Sequence, residues 1–343
     1  GTEFNNTTAM KADVMMAVGT RLSEADCSSW YMGETFDVPP TKLIHIDINQ
    51  EEIGRNFPTA IGAICDAKEA LEAILAAAKR KYPNGVKRPE IVKAIAEAKA
   101  AYKATLVEAQ NSAQYPMRPE RILKDLREAL PRDGYVVADV GWNKNGVGQQ
   151  FDIYEPGTFV APGGLCTMGY GPSAAIGVKV ANPDKKVVAL IGDGGMGTNV
   201  SPFATGAMDG VAVVWVVMNN CAFGTIAGLE RQHYDHQFGT LFMRDGEPYS
   251  PDFAAIAEAY GIKGYKVTKA EEFKPMLEEA LASNKPCVID VRMENAPVVT
   301  WGCWNINDIY RKRGEEKPWR QWQWEDTTPW YMAELREQKT KKK

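Results

Sequence analysis

Short apolar runs alternate with amphipathic stretches along most of the chain. VMMAVG (14–19), KLIHIDI (42–48) and AIGAICD (60–66) are continuous and apolar, and predict strands. EEIGRN (51–56) opens with acids, as the first turn of a helix does. AKEALEAILAAAKRKY (67–82) has helical spacing, and YPNG (82–85) ends it. RPEIVKAIAEAKAAYKATLVEAQNS (88–112) is rich in Ala, Lys and Glu and predicts a long helix with a solvated charged face. RPERILKDLREAL (118–130) is amphipathic, with Pro at its start, and PRDG (131–134) turns the chain into the strand YVVAD (135–139). VGWNKNGVGQQF (140–151) reads as the loop after that strand. VVALI (187–191), the glycine turn GDGGMG (192–197), a helical segment through Met208 and VAVVWVVM (211–218) form a strand–turn–helix–strand unit. Two helices, in YSPDFAAIAEAYG (249–261) and EEFKPMLEEALASN (271–284), precede a last strand, PCVIDVRM (286–293). Continuous apolar strands with helices between them predict an α/β fold with doubly wound parallel sheets.

The turn at 192–197 carries the first chemical signal. Gly192, Gly194 and Gly197 match the G-x-G-x-x-G dinucleotide pattern, with phosphates held on backbone N–H groups at a helix start. Asp193 disturbs that reading, because a carboxylate beside a pyrophosphate is repelled. A divalent cation between them reverses the sign. Magnesium takes oxygen ligands, with one or two from the protein and others from substrate phosphates. The next strand ends on Asn219 and Asn220, where open α/β sheets bind ligands. A dinucleotide site calls for an acid there, and this chain has amides. The residues favour a metal-bridged diphosphate over NAD. An ordinary βαβ turn with a capping Asp is the plain alternative.

GDG (192–194), the 24 residues 195–218 and the pair Asn219–Asn220 resemble the thiamine diphosphate motif of the acetohydroxyacid synthase, pyruvate decarboxylase and pyruvate oxidase group. The resemblance implies that Asp193, the Asn220 side chain and the Ala222 carbonyl bind Mg2+. Gly192, Gly194, Gly195, Phe223 and Gly224 would adjoin the cofactor, and Thr225, Ile226 and Leu229 would line the substrate channel. Thr225 and Leu229 stand where acetohydroxyacid synthases typically have Met and Trp, which puts acetolactate formation itself in question. After the strand ending at Asp139, the family has Gly followed by Gln and His touching the diphosphate; here Gly141 is followed by Trp142 and Asn143, with Asn143 as a candidate phosphate donor. In APGGLCTMGYGPSAAIGVKVANP (161–183), Gly164 and its small neighbours would let backbone approach a flat ring. There the resemblance makes Met168 a wedge under the cofactor and the Cys166 carbonyl an acceptor for the pyrimidine amine, while core filler is the plain reading of a methionine.

ADVMMAVGTRL, KLIHIDINQEEIGRN and CDAKEALEAIL resemble the central domain of the same family. The expected organisation is the second half of a Rossmann-like central domain over 1–86, a helical linker over 87–114, a diphosphate-binding domain over 115–295 and a Trp-rich arm over 296–343. Gly1-Thr2 stands before Ala12-Asp13 as in the family, so residue 1 reads as native sequence within that domain, and a half sheet leaves an open strand edge for another polypeptide. FAD or another nucleotide in this domain is possible but not favoured. Asp47 stands where a ribose-binding carboxylate would, yet the glycine-rich phosphate half is absent, and turn shaping by Asp47 and Asn49 is preferred.

The resemblance implies decarboxylation or carboligation of a small 2-oxo acid, with the cofactor carrying the chemistry. The activating glutamate belongs to a pyrimidine-binding domain outside this sequence, so a subunit or fragment carrying it is an expected partner, in a homo- or hetero-oligomer. The alternatives are a cofactor-binding module inert without that partner and an NAD-linked Rossmann oxidoreductase.

Composition adds exclusions. The 343 residues carry a net charge of −4, with 24% charged and 45% hydrophobic residues, and nothing points to nucleic acid or membrane. The basic end KTKKK (339–343) reads as a solvated tail. Six scattered cysteines without C-x-x-C argue against disulfides or zinc and for a reduced, cytoplasmic setting. His233 and His236 lack a third ligand at recognisable spacing and read as loop residues. Trp301, Trp304, Trp319, Trp322, Trp324 and Trp330 suggest an arm that packs on a protein surface, at a subunit contact or over the active site.

Overall fold

The computed structural model describes residues 2–23, 27, 35–234 and 237–295. Their mixed α/β structure falls into two compact units, one within residues 1–89 and one within 90–299. The Trp-rich arm and the side chains of His233 and His236 lie outside the described residues.

In the first unit, helix α1 (Glu3–Met10) leads into β1 (Val14–Val18), followed by β2 (Lys42–Asp47) and β3 (Ile61–Ile64). These form a parallel sheet in the order β1-β2-β3. Ala17, Leu22, Cys27, Val38, Leu43 and Phe57 make its core. Helix α2 (Ala67–Lys81) starts on Asp66, whose carboxylate accepts from the N–H groups of Lys68 and Glu69. Asp47 accepts from the Asn49 N–H at 2.9 Å, and Asn49 accepts from Glu51 at 3.1 Å, so both side chains shape the turn after β2. The helix read from EEIGRN is a single 3-10 turn, Gln50–Glu52. Helix α1 is an addition: Thr2 caps it, and no apolar periodicity marks EFNNTTAM.

The second unit begins with α3 (Pro89–Gln110) and α4 (Pro119–Ala129). Its sheet comprises β4 (Tyr135–Ala138), β5 (Phe159–Val160), β6 (Val187–Gly192), β7 (Val213–Asn219), β10 (Lys263–Val267) and β11 (Cys287–Arg292). All pairings are parallel, in the order β10-β11-β7-β6-β4-β5. A small hairpin, β8 (Met243–Arg244) with β9 (Glu247–Pro248), stands apart. Between the strands run α5 (Trp142–Gln150), α6 (Tyr170–Ala181), α7 (Asp193–Thr198), α8 (Pro202–Asp209), α9 (Gly224–Tyr234), α10 (Phe253–Ala259) and α11 (Ala270–Ser283). Strand alternation sends side chains to both faces. Val188, Leu190, Val214, Val216, Met218, Ile289 and Val291 pack with residues of α4, α5 and α11. Val187, Ala189, Ile191, Val213, Trp215 and Val217 pack with residues of α6, α8 and α10. All seven residues of β7 are buried, as a central strand covered on both faces requires.

Three local readings change. Residues 142–150 are helical rather than a loop. Gly141, at φ +112°, makes the entry bend, and the Trp142 ring lies over Gly146, where an added Cβ would stand 2.2 Å from it. The helical segment after GDGGMG is two helices, with α7 ending before Asn199 and α8 starting on Pro202, which cannot donate inside a continuous helix. Strand β10 is an addition, because KGYKV is short and half polar and carries little strand signal.

At that edge α10 crosses β10 closely: a Cβ on Gly264 would stand 2.2 Å from the Ala254 carbonyl oxygen. Backbone on both sides cannot yield cheaply. The Gly264→Ala variant is expected to lose about 1–3 kcal/mol of stability, read as a lower denaturant midpoint with an unchanged slope. An unaltered midpoint would contradict the contact.

Candidate functional site

The sheet order places a switch point between β4 and β6: β4 connects outward to the edge strand β5, and β6 lies on its other side. Ligands of open α/β sheets bind in the crevice past the strand ends at such a point. A cleft of about 250 Å³ opens there, lined by the segment Val140–Asn145, Met168, Gly192, Gly194, Gly195, Met218, Asn220, the segment Ala222–Ile226 and Met293. The first residues of α5 and α9 line it, and so do Gly194 and Gly195 of α7. Helix N-termini present free N–H groups and partial positive charge, so this end of the sheet favours an anion.

Asp193 begins α7 and is 2% exposed. Burial pushes its carboxyl up to about 6, against the N–H groups of Gly194 and Cys221, which favour the ionised form. Its Oδ2 is buried with no hydrogen-bond partner. Asn220 follows the end of β7. One end of its side-chain amide stands 3.1 Å from Asn295 Oδ1, and the other stands 3.1 Å from Asp193 Oδ1 and 3.0 Å from the Ala222 carbonyl, two acceptors that suit the amide Nδ2 as donor. The bend that brings the Ala222 carbonyl back is made by Cys221 at φ +54°, a left-handed conformation uncommon for a non-glycine residue.

Asn219 faces the other way. It is buried, donates to Asp290 Oδ1 at 3.0 Å and accepts from Arg292 at 3.1 Å, tying β7 to β11. Asp139, at the end of β4, is fully buried and accepts from Val140 N–H at 2.8 Å and Gly169 N–H at 2.9 Å. Its Oδ2 would lie 2.2 Å from a Cβ on Gly195, so this position holds glycine by close approach. The start of α6 and the turn opening α7 thus pack on one carboxylate.

Of the residues singled out in the sequence, Gly141, Asn143, Met168, Gly192, Gly194, Gly195, Asn220, Ala222, Phe223, Gly224, Thr225 and Ile226 line the cleft. Asp193 is buried beside it, against Asn220. Gly164, Cys166 and Leu229 do not line it. Asn143 Nδ2 donates to the carbonyls of Asp139 and Val140, at 3.3 and 3.1 Å, so it is engaged within the loop rather than free for the phosphate expected. The Met168 side chain and the Phe223 ring both lie over Gly194, where an added Cβ would meet them at 3.3 and 2.7 Å. Thr225 Oγ1 is buried without a partner.

Sequence reasoning missed Lys144, Asp139 and Asn295. Lys144 lines the cleft and its Nζ lies 3.2 Å from Cys166 Sγ, a basic neighbour that sequence distance conceals. Asp139 carried a signal, an acid ending an apolar strand; Asn295 carried none.

Two family profiles match the chain. Residues 139–291 match "Thiamine pyrophosphate enzyme, C-terminal TPP binding domain", and residues 1–74 match "Thiamine pyrophosphate enzyme, central domain". A probable acetolactate synthase large subunit of Methanocaldococcus jannaschii is 33% identical over 92% of this chain and 53% of its own length. The acetolactate synthase large subunit of Haemophilus influenzae is 28% identical over 86% of this chain and 50% of its own. A putative thiamine pyrophosphate-containing protein of Bacillus subtilis is 28% identical over 75% and 43%. The chain spans about half the length of these curated relatives. No helix among the described residues is long and apolar enough to cross a membrane. With matches to both domains and a parallel α/β sheet carrying its cleft at the switch point, the chain belongs to the thiamine pyrophosphate enzymes of the acetohydroxyacid synthase group.

Proposed function

We propose that this chain supplies the magnesium and diphosphate half of a thiamine diphosphate site that cleaves or forms a C–C bond on a small 2-oxo acid, as an acetolactate synthase-like carboligase or a decarboxylase. The observation that carries this reading is the convergence of the Asp193 carboxylate, the Asn220 side-chain amide and the Ala222 carbonyl beside the cleft. The Asn220 amide stands 3.0 Å from the Ala222 carbonyl and 3.1 Å from Asp193 Oδ1. Neighbouring oxygens around octahedral magnesium, at 2.0–2.1 Å from the ion, stand about 2.9 Å apart. With the Asn220 amide turned so that its oxygen faces inward, the donor set would fit a small hard cation: one carboxylate, one amide oxygen and one carbonyl, with the remaining positions left to phosphate and water. The unpartnered Asp193 Oδ2 fits the same reading.

Bound thiamine diphosphate would supply the carbon nucleophile and electron sink for the 2-oxo acid. The chain's own residues then have separate tasks. The N–H groups opening α5, α7 and α9 would bind the diphosphate. Met168, beside Gly194 and Phe223, would support the cofactor rings. Thr225 and Ile226, which line the cleft, would face the substrate. By the family resemblance the Cys166 carbonyl would accept from the pyrimidine amine, Gly164 would let backbone approach and Leu229 would face the substrate, although these three stand outside the cleft of this chain. Trp142, Met218, Phe223 and Met293 give the cleft apolar walls. Among the described residues lining the cleft there is no Asp or Glu. We propose that the activating glutamate comes from a pyrimidine-binding domain on a partner subunit, making the assembly an oligomer, and that no flavin is needed. Gel filtration with a candidate partner and a pyruvate-consumption assay test this; full carboligase activity from the pure chain alone overturns it.

Calorimetry with thiamine diphosphate and Mg2+ tests the cage. Asp193→Ala is expected to abolish magnesium-dependent binding while the chain stays folded. Unchanged binding in the variant, or tight metal-independent NAD binding by the unaltered chain, refutes the assignment.

The raised pKa of Asp193 gives a second outcome. The metal-free folded state holds the proton more tightly than the unfolded chain. The resulting stability is fully present below the unfolded value of 3.8 and is lost as pH rises through about 6. Asp193→Asn removes this loss. The metal-free variant is therefore expected to gain on the unaltered chain between pH 4 and 7, by at most about 3 kcal/mol, measured by urea unfolding at both pH values. A constant difference between the two proteins across that range contradicts the burial argument.

A further inference from the structure

Lys144 is the one charged side chain among the described residues that line the cleft. It is half-buried in the first turn of α5, where its N–H donates to the Gly141 carbonyl at 3.2 Å. An ammonium offers three donors, and a thiol sulfur is a weak acceptor. Among the described residues the Nζ of Lys144 has one partner, Cys166 Sγ at 3.2 Å, and no carboxylate pairs with it. A cation partly withdrawn from water without a counter-charge is poorly satisfied until an anion arrives.

Thr225 adds a second unsatisfied group. Its Oγ1 is buried with no hydrogen-bond partner. That oxygen lies 3.7 Å from where a Cβ on Gly141 would stand, and Gly141 is the residue before α5. Lys144 and Thr225 thus flank the same helix start, and both line the cleft. A buried hydroxyl without a partner is costly unless a ligand takes it up. An ammonium and a hydroxyl together suit the oxygens of an anion.

Two anions are already provided for or unsuited. On the reading above, the metal and three helix starts serve the cofactor's diphosphate. The carboxylate at the reacting end of a 2-oxo acid is unsuited to a cation. As its C–C bond breaks, the electron pair stays with the remaining carbon and the carboxylate departs as neutral carbon dioxide. An ammonium on it would hold it more strongly before the step than during it, and would slow the step. A negative group that survives the reaction has no such conflict.

We infer that Lys144 is a specificity-determining residue, that with Thr225 it binds a second carboxylate at the far end of the substrate, and that the site takes 2-oxo dicarboxylic acids in preference to 2-oxo monocarboxylic acids. This rests on the reading of the cleft as a thiamine diphosphate site. Thr225 stands where acetohydroxyacid synthases typically have Met, and the shorter side chain leaves room for the added group.

The test is calorimetry on the full chain loaded with thiamine diphosphate and Mg2+. The two probes are 2-oxoglutarate and 2-oxopentanoate, which has the same carbon chain without the second carboxylate. The unaltered chain is expected to bind 2-oxoglutarate about 10-fold more tightly, the effect of one charge-assisted contact. Lys144→Met keeps the length of the side chain without its charge and is expected to abolish the difference. Lys144→Arg is expected to retain it, and Thr225→Val to reduce it about 3-fold. Absent binding of 2-oxoglutarate, equal affinities for the two acids, or a difference that survives Lys144→Met overturns the inference. So does a Lys144→Met variant that loses affinity for thiamine diphosphate while binding 2-oxoglutarate as before, because the ammonium then serves the diphosphate. If the unaltered chain binds no thiamine diphosphate with Mg2+, the cofactor reading itself fails and the inference with it. If it binds the cofactor and does not distinguish the two acids, the cofactor reading stands and the inference alone falls.

Discussion

A carboxylate buried with an incomplete set of hydrogen bonds is the constraint on which the second unit's ligand end depends. Removing an ionised carboxylate from water is costly unless partners replace the solvent. Asp193 has backbone N–H groups on one side and, on the other, the Asn220 amide 3.1 Å from its Oδ1, while its Oδ2 has no partner. That arrangement is held, not accidental. The left-handed Cys221 turns the chain so that the Ala222 carbonyl comes back beside Asn220. The cluster stands at the ends of two neighbouring buried strands, whose ladder runs from Val187–Val213 to Gly192–Met218. Rigid central strands are the elements best able to hold such polar groups at contact distance.

Comparison with the other buried carboxylates near the strand ends separates scaffold from site. Burial raises the pKa of Asp139, Asp193 and Asp290 alike. Asp139 accepts from Val140 and Gly169, and Asp290 from Asn219 and the Phe253 N–H, so each clamps two segments together. Asp193 keeps one oxygen without a partner. A raised pKa alone does not mark the functional acid. The marker is the incomplete hydrogen bonding of Asp193 beside a cleft that favours anions.

The sheet and the motif are legible in the sequence because both are local. VVALI and VAVVWVVM announce central strands, and GDG with the distant amide pair announces what lies between them. The two amides look equivalent in sequence, yet they act in opposite directions: strand alternation sends Asn219 across to β11, while Asn220 turns to the cleft. The helix at 142–150 reads as a loop because two glycines and two asparagines obscure its period. Its stability comes from tertiary packing, with Trp142 and Val147 in the core. Asn143 reads as a phosphate donor because its type permits it, but its amide hydrogens go to local carbonyls. Lys144 beside Cys166 belongs to the same class of information: 22 residues separate them, and no pattern encodes the pair.

Asn295 is the furthest case, since it meets a residue 75 positions earlier. Register explains how the chain arranges this. In the β7–β11 ladder Asn219 stands opposite Arg292, and the Met293 N–H donates to the Asn219 carbonyl at 2.9 Å. The Arg292 guanidinium on Asn219 Oδ1 and Asn219 Nδ2 on Asp290 fasten the same register through side chains. Parallel strands in fixed register leave the sheet side by side, so the residues just beyond their ends become neighbours. A slip of one residue would reverse every buried side chain of β11. The apolar pattern that buries β11 therefore also decides which side chain reaches Asn220. The inward-facing Asn219 thus has a part in the site without touching the cleft: it secures the register that brings Asn295 to the Asn220 amide.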